Sequence, residues 1–215
     1  MGAYYSTVRF LANALLGTWS GWDVMGLEHI PPRGGLIVAS NHVSFWDPPL
    51  LGACLPRESF FLAKEELFSA PVLGPMIRGV NAIPIRRGMA DLSGLTRATE
   101  KLRQGGVLLL FPEGSRMRDG ALHPARPGVG MIAVQADVPI APCYISGSNH
   151  PGKWWYRGAR VRISLGRPAP WREYAGPESN LTPGRALYQR VGDEVMRRIA
   201  ALKSDQLSSA SRGAA

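Results

Sequence analysis

The sequence predicts a single layered α/β domain with a largely parallel mixed sheet flanked by helices. From Gly34 onward, short apolar runs alternate with helical patterns, the order typical of parallel strands joined by crossover helices. The chain has 215 residues, of which 45% are hydrophobic and 19% charged. It is therefore long enough to bury a substantial core and too apolar to be disordered.

The predicted elements alternate along the chain. Six apolar runs are predicted as strands: Leu36–Ser40, Phe60–Ala63, Ala82–Ile85, Val107–Phe111, Ile140–Ile145 and Val161–Leu165. Helical patterns are predicted at Pro49–Leu55, Glu65–Arg78, Asp91–Arg103, Gly128–Ala136 and Pro183–Leu202. The last helix has clear start signals, because Thr182 suits the N-cap and Pro183 the first turn.

The two ends of the chain are predicted to differ from the main domain, residues 23–203. Residues 1–22 are predicted as an amphipathic membrane-interface helix, and the Ser- and Ala-rich residues 204–215 as a disordered tail. The helix runs from about Tyr4 to Trp19, and its apolar stripe is Tyr4, Val8, Leu11 and Leu15. The opposite, polar side is Ser6, Arg9, Asn13 and Gly17. Flanking tryptophans and tyrosines favour a membrane interface, and packing against the domain is the alternative.

The formal net charge of +9 indicates an anionic partner: nucleic acid, an anionic membrane surface or a phosphorylated substrate. Cys54 and Cys143 form no C-x-x-C pair and are expected to be buried free thiols in a reducing compartment. The four histidines lack metal-ligand spacing, so no metal site is predicted. No run approaches the roughly 18 to 20 apolar residues that span a bilayer, and the N-terminus lacks the layout of a signal peptide.

An imidazole and a carboxylate follow the first predicted strand of the domain, at His42 and Asp47. The four residues between them allow a turn that brings the carboxylate onto one ring nitrogen. A histidine held in this way has a fixed tautomer and can take a proton from a substrate hydroxyl. The alternative is that Asp47, followed by Pro48, only caps a helix.

Polar residues also follow other predicted strands. Arg86 and Arg87 come after one strand, and Glu113, Gly114 and Arg116 come after another. The ends of parallel strands can converge on the edge that holds His42. Guanidinium groups at that edge would suit a phosphate, and Glu113 would accept a hydroxyl or orient the arginines. Each arginine taken singly is more typical of a solvated surface charge.

The order and spacing of these segments resemble the glycerolipid acyltransferase family, in particular its bacterial 1-acylglycerol-3-phosphate acyltransferases. The motif N-H-x-x-x-x-D is present as Asn41, His42 and Asp47, and F-P-E-G-[ST]-R as residues 111–116. A strand running to Arg87, the motif V-P-I-x-P at residues 138–142, and D-G-x-L-x-P at residues 119–124 followed by Arg126 and Gly128 also match. Asn81 and Ala125 depart from the family pattern and could reshape the acceptor pocket.

The resemblance implies acyl transfer from an acyl thioester, on coenzyme A or acyl carrier protein, to the sn-2 hydroxyl of 1-acylglycerol-3-phosphate. His42 would be the general base and Asp47 its orienting partner. The resemblance also implies a set of substrate-binding residues: Lys64, Arg87, Glu113, Gly114, Ser115 and Arg116. Coenzyme A would be a co-substrate, with no cofactor, and the enzyme would lie at the cytoplasmic face of the cell membrane as a peripheral or monotopic protein.

Three alternatives remain open from the sequence. The acceptor could be glycerol-3-phosphate or a lyso-aminolipid, with the same chemistry. The basic composition would also suit a nucleic-acid-binding domain, although that class leaves the strand-end motifs unexplained and nucleic acid is not the partner we expect. A non-catalytic lipid-binding protein would not require His42 and Asp47. The cluster from Lys153 to Arg162 is either an interfacial contact or an exposed hairpin.

Overall fold

A seven-stranded mixed sheet forms the centre of the protein. The structure is a computed structural model and describes residues 3–15, 22–86, 92–150, 160–180 and 182–212. The strands are β1 Asp23–Met25, β2 Leu36–Ser40, β3 Ser59–Lys64, β4 Ala82–Ile85, β5 Val107–Leu110, β6 Ile140–Ser146 and β7 Arg162–Leu165. Their order is β1-β7-β6-β2-β5-β3-β4, and every neighbouring pair is parallel except β6 with β7. The predicted fold class is confirmed.

Helices cover both faces of the sheet. They are α1 Ala3–Leu15, α2 Asp47–Cys54, α3 Leu73–Gly79, α4 Leu92–Arg103, α5 Gly128–Ala136, α6 Trp171–Ala175 and α7 Arg185–Arg212. Short 3₁₀ helices occur at Leu27–His29, Glu65–Ser69 and Gly176–Asn180. Helix α7 packs on α5, α6 and β6, while α1 packs on α2 and α2 packs on β3 and β5. Among the described residues, no helix is long and apolar enough to cross a membrane.

Strand β2 lies in the middle of the sheet and is buried on both faces. Ile37 and Ala39 join the core under α4, α5, α6 and α7, whereas Leu36 and Val38 join the core under α2. Side chains alternate between the faces of a strand, so a central strand covered on both sides is apolar throughout. The continuous apolar run before His42 therefore has a structural cause, and the loop after β2 begins from a rigid support.

Two predicted segments differ from the structure, one helix and the C-terminal tail. The predicted helix Glu65–Arg78 is divided into the 3₁₀ helix and α3, because Ala70 precedes Pro71 and adopts an extended conformation with ψ 130°. The predicted disordered tail from residue 204 is wrong over the described part, since α7 continues to Arg212. Gln206 explains the extension, because it is buried and hydrogen bonds to Ser146 and Ser164. The division of the chain into 1–22, 23–203 and 204–215 otherwise stays a prediction.

Helix α1 docks on the domain through its polar side. Tyr5 is hydrogen bonded to Gly52 and Ser59, Arg9 donates to the Leu55 carbonyl at 2.8 Å, and Asn13 donates to the Ala53 carbonyl at 2.7 Å. The predicted polar residues Arg9 and Asn13 therefore face protein. Phe10 and Leu11 point outward and are 71% and 59% exposed. The segment beyond Leu15, including Trp19, lies outside the described residues.

Candidate active site

The predicted contact between His42 and Asp47 is present at the carboxyl end of β2. His42 Nδ1 lies 2.8 Å from Asp47 Oδ2, and the Asp47 side chain is completely buried. The same oxygen accepts the backbone N–H groups of Val43 and Ser44, both at 2.8 Å. An ionised carboxylate only accepts hydrogen bonds, so Nδ1 carries the proton and Nε2 holds the free electron pair.

Asp47 does not act as the helix cap that the alternative hypothesis required. It is the first residue of α2, Trp46 holds the cap position, and the Trp46 side chain makes no capping hydrogen bond. The Asp47 carboxylate instead bonds to the two N–H groups before the helix. The turn at residues 42–47 is thus organised around this one carboxylate.

The segment that follows β5 holds the other side of His42. The Phe111 ring stacks on the imidazole with 4.1 Å between ring centroids and 22° between ring planes. The Met117 N–H donates to the His42 carbonyl at 2.7 Å. Because β2 and β5 are parallel neighbours, their following segments begin side by side and can make these contacts.

The Glu113 carboxylate has different partners from those expected. The His42 N–H donates to Oε2 at 2.9 Å, and the His123 N–H donates to Oε1 at 3.1 Å. Glu113 is only 2% exposed. Burial raises its pKa, and the two N–H bonds oppose this shift. Among the described arginines, neither Arg86 nor Arg116 pairs with this carboxylate, so the predicted orienting role is not seen for those two.

Asn41 has a structural role at the site, although from the sequence it was only a member of the N-H-x-x-x-x-D motif. Its side-chain amide donates to the Ile145 carbonyl at 3.0 Å, and its oxygen accepts the Ile145 N–H at 2.8 Å. Both bonds are buried, and they join the start of the segment after β2 to β6. The signal was available in the sequence, since an asparagine directly after an apolar strand can continue backbone pairing where the strand itself ends.

The predicted anion-binding residues differ in their surroundings. Lys64 and Arg116 are exposed and line the same cavity as His42, and the Arg116 guanidinium lies 5.6 Å from the centre of the Phe45 ring. Arg86 instead pairs with Glu65. Arg87 lies outside the described residues, so its predicted role is unchanged.

Gly114 and Ser115 form the turn between Glu113 and Arg116. Gly114 has φ +72°, and a Cβ there would lie 2.6 Å from Cδ of Arg126. The glycine is therefore explained by backbone conformation and by the close approach of Arg126. Ser115 is half-buried in the same turn. Their predicted contacts with substrate stay predictions.

An apolar cavity of about 440 Å³ extends from His42 between α1, α2, α3 and β3. Its volume lies within the range of small-molecule sites. Near His42 its wall includes Phe111 and Arg116, and elsewhere it includes Tyr5 and Ser59, whose hydroxyls are 3.0 Å apart. Aliphatic and aromatic side chains line the space between, including Phe61, Leu62, Leu67, Leu73, Ile77 and Leu109.

Strand β3 gives the cavity its direction. Lys64 at the carboxyl end of β3 and Ser59 at the opposite end both line it. The cavity thus runs along six strand residues, roughly 16 Å at the usual rise per residue. A long apolar chain would fit this shape, with its reactive end beside His42.

A family model described as acyltransferase matches residues 22–146, more than half of the chain, which therefore belongs to this family. A 1-acyl-sn-glycerol-3-phosphate acyltransferase from Bacillus subtilis is 27% identical over 190 residues, covering 85% of this chain and 94% of that protein. The crystal structure of the 1-acyl-sn-glycerophosphate acyltransferase PlsC from Thermotoga maritima superimposes with a TM-score of 0.68 and 29% identity, covering 93% of this chain and 79% of that one.

A second type of relative has a different acceptor in its name. A lyso-ornithine lipid O-acyltransferase from Pseudomonas aeruginosa is 35% identical over 116 residues, covering 54% of this chain and 44% of that protein. The acyltransferase family predicted from the motifs is confirmed. The names of these relatives cover more than one acceptor headgroup, so family membership alone does not define the acceptor.

The Asn41 contact yields a prediction about stability. Asn41→Ala leaves a buried N–H and a buried carbonyl of Ile145 without partners, so the free energy of unfolding should fall by about 2 kcal/mol or more. Urea denaturation measures this change, and Asn180→Ala, at an exposed asparagine, should stay within about 0.5 kcal/mol of wild type. Equal stability of the two variants would show that the Asn41 bonds contribute nothing to folding.

Proposed function

We propose that the protein transfers an acyl group from a thioester of coenzyme A or acyl carrier protein to the sn-2 hydroxyl of 1-acylglycerol-3-phosphate, forming phosphatidic acid. The observation that carries the proposal is the buried Asp47–His42 hydrogen bond beside an apolar cavity that also has Lys64 and Arg116 in its wall. The names of the Bacillus and Thermotoga relatives support the acceptor. The lyso-ornithine lipid relative makes a lyso-aminolipid the second candidate.

The chemistry follows from the tautomer of His42. Nε2 accepts the proton of the acceptor hydroxyl while the hydroxyl oxygen attacks the thioester carbonyl. The buried Asp47 carboxylate stabilises the imidazolium that forms, because it is hydrogen bonded to Nδ1. The tetrahedral species then expels the thiolate, which takes the proton from Nε2. The products are the new ester and a free thiol, and His42 returns to its neutral form.

Direct transfer to the acceptor is favoured over an acyl-enzyme. Ser40 and Ser44 are the nearest hydroxyls in sequence, and both are buried. The Oγ of Ser44 accepts the Trp46 N–H at 3.2 Å. The Ser44 hydroxyl serves the turn before α2, and the residues around it lack the G-x-S-x-G pattern that presents serine nucleophiles. The acceptor alcohol is then the nucleophile, and the enzyme supplies the base.

The apolar cavity suits an acyl chain, and the cations in its wall suit the phosphate of a lysophospholipid. An acyl chain can lie along β3 in the apolar cavity, with the ester-forming carbon beside His42. Arg116 has no carboxylate partner among the described residues and can bond a phosphate in a paired geometry. Lys64 adds a second positive charge at the same wall, and the proposal includes Arg87 by its match to the family motif.

The proposal includes binding to an anionic membrane surface at the cytoplasmic face of the cell membrane. Large apolar side chains are exposed on and beside the helices that line the cavity: Phe10 and Leu11 on α1, Val72 and Met76 at α3, and Phe45 and Trp46 before α2. A lipid surface covers exposed apolar groups of this kind, and the net charge of +9 adds attraction to anionic headgroups. The buried free thiols Cys54 and Cys143 suit a reducing compartment.

The dyad is tested by assaying one acyl thioester with three acceptors: 1-acylglycerol-3-phosphate, glycerol-3-phosphate and a lyso-ornithine lipid. We expect turnover with the first, loss of it in His42→Ala, and a fall of about a hundredfold or more in Asp47→Asn, because orientation and charge support are lost. His150→Ala, at an exposed histidine, is the control and should be unchanged. Near-wild-type turnover in His42→Ala would contradict the general-base assignment, and turnover only with the lyso-ornithine lipid would replace the proposed acceptor.

The phosphate assignment predicts a selective loss. Arg116→Ala should lower kcat/KM for 1-acylglycerol-3-phosphate by roughly tenfold to a hundredfold, the effect of a charge-assisted bond, and by little for an acceptor without a phosphomonoester. Arg116→Lys should recover only part, since an ammonium cannot make the paired contact. Arg33→Ala is the matched control, because Arg33 is exposed and precedes β2, at the end of that strand opposite to His42. An equal loss with every acceptor would assign Arg116 to the donor or to the fold.

The membrane assignment predicts that Phe10→Asp combined with Leu11→Asp lowers the fraction that sediments with phosphatidylglycerol vesicles severalfold. Thermal stability should change little, because α1 docks through Tyr5, Arg9 and Asn13. Leu207→Asp is the control, since Leu207 is 62% exposed on α7, which packs in the other helical layer. Unchanged sedimentation of the double variant would remove α1 from the membrane-binding surface.

A further inference from the structure

The Glu113 carboxylate joins two segments that surround the site. One oxygen accepts the N–H of His42, and the other accepts the N–H of His123, ten residues further along the chain. The segment around His123 is braced locally, because Asp119 Oδ1 accepts the Ala121 N–H and Oδ2 lies 2.8 Å from His123 Nε2. Glu113 thus links the catalytic loop, residues 42–47, to the loop at residues 117–123, in addition to the bond from the Met117 N–H to the His42 carbonyl.

Both oxygens of Glu113 are occupied, and the side chain is buried with 2% exposure. Two N–H donors require an acceptor at each oxygen, which only the carboxylate supplies. An amide at this position would turn an NH₂ group toward an N–H and lose one of the bonds. Each oxygen keeps a second lone pair, but Glu113 is buried and is not among the described residues that line the cavity, so a substrate hydroxyl in the cavity does not reach it.

The backbone of His42 is held at both of its polar atoms by the segment after β5. Glu113 takes its N–H and the Met117 N–H bonds to its carbonyl. Phe111 and Asp47 hold the ring. The direction of Nε2 depends on all four contacts, and misplacement of a catalytic group by about 1 Å can cost about a hundredfold in rate.

We propose that Glu113 is a positioning residue, which holds the His42 backbone in the geometry that proton transfer requires, and that it does not bind the acceptor. This revises the substrate-binding role that the family resemblance implied for it. The proposal deepens the proposed function and rests on it, since it assumes that His42 acts as the base. It assigns to the glutamate of the F-P-E-G-S-R segment a different task from that of Arg116, three residues later.

The test separates kcat from KM. Glu113→Gln keeps the shape and removes one acceptor, so kcat should fall about tenfold to a hundredfold while KM for the acceptor stays within about twofold. Arg116→Ala, measured in parallel, should mainly raise KM for the same acceptor. Glu178→Gln, an exposed glutamate on the 3₁₀ helix after α6, is the matched control and should leave both constants unchanged. Thermal melting verifies that each variant is folded.

The opposite split overturns the proposal: a raised acceptor KM with unchanged kcat in Glu113→Gln would make Glu113 an acceptor ligand, and no change in either constant would leave it without a role. If Glu113→Gln fails to fold, Glu113→Asp is measured, since it retains the charge but is too short to reach both N–H groups. Failure of both variants to fold would also overturn the proposal, because Glu113 would then support the whole domain.

The proposed function fails independently of this inference. It is lost if the wild-type protein gives no turnover with 1-acylglycerol-3-phosphate, whatever Glu113→Gln does. In that case, the same comparison of kcat and KM is made with the acceptor from the panel that does support turnover. The role of Glu113 is then tested without the assumption of a particular headgroup.

Discussion

The parallel pairing of β2 with β5 is the constraint on which the site depends. Ala39 lies beside Leu110 in this register, so the two segments that leave the sheet start as neighbours. Phe111 can then stack on His42, and Met117 can return to its carbonyl. Because β2 is buried on both faces, a shift of one residue would exchange its two sets of core contacts. The geometry of the catalytic loop therefore depends on the same packing energy that stabilises the centre of the sheet.

The parts of the molecule that were predictable are those encoded locally. Strand positions follow from apolar runs, and the contact between His42 and Asp47 follows from a spacing within a single turn. The partners of Glu113 were not predictable, because they are backbone groups brought close only by the sheet register. The same holds for Gln206, whose partners lie on β6 and β7 and convert an apparently unstructured tail into helix.

The orientation of α1 shows why an amphipathic pattern alone does not give a docking face. A soluble domain normally buries the apolar stripe of such a helix. Here Tyr5, Arg9 and Asn13 face α2 and donate to its carbonyl groups. Two of these carbonyls lie at the carboxyl end of α2: Ala53 in its last turn and Leu55 at its C-cap. The helix thus caps α2 with side chains and leaves Phe10 and Leu11 outside. This arrangement leaves apolar side chains of α1 available for the membrane surface proposed above.

Main-chain N–H groups hold the turn at residues 42–47 and the loop packed against it. The donors are His42, Val43 and Ser44 in the turn, and Met117 and His123 in the loop. Side-chain identity at such donor positions is free to vary without loss of the bond, but proline is excluded, because it has no N–H to give. The variable positions of N-H-x-x-x-x-D are therefore under a restriction that a motif written in side-chain letters cannot express. At residues 43, 44 and 117, a change to proline removes the main-chain bond whatever the side chain at that position contacts.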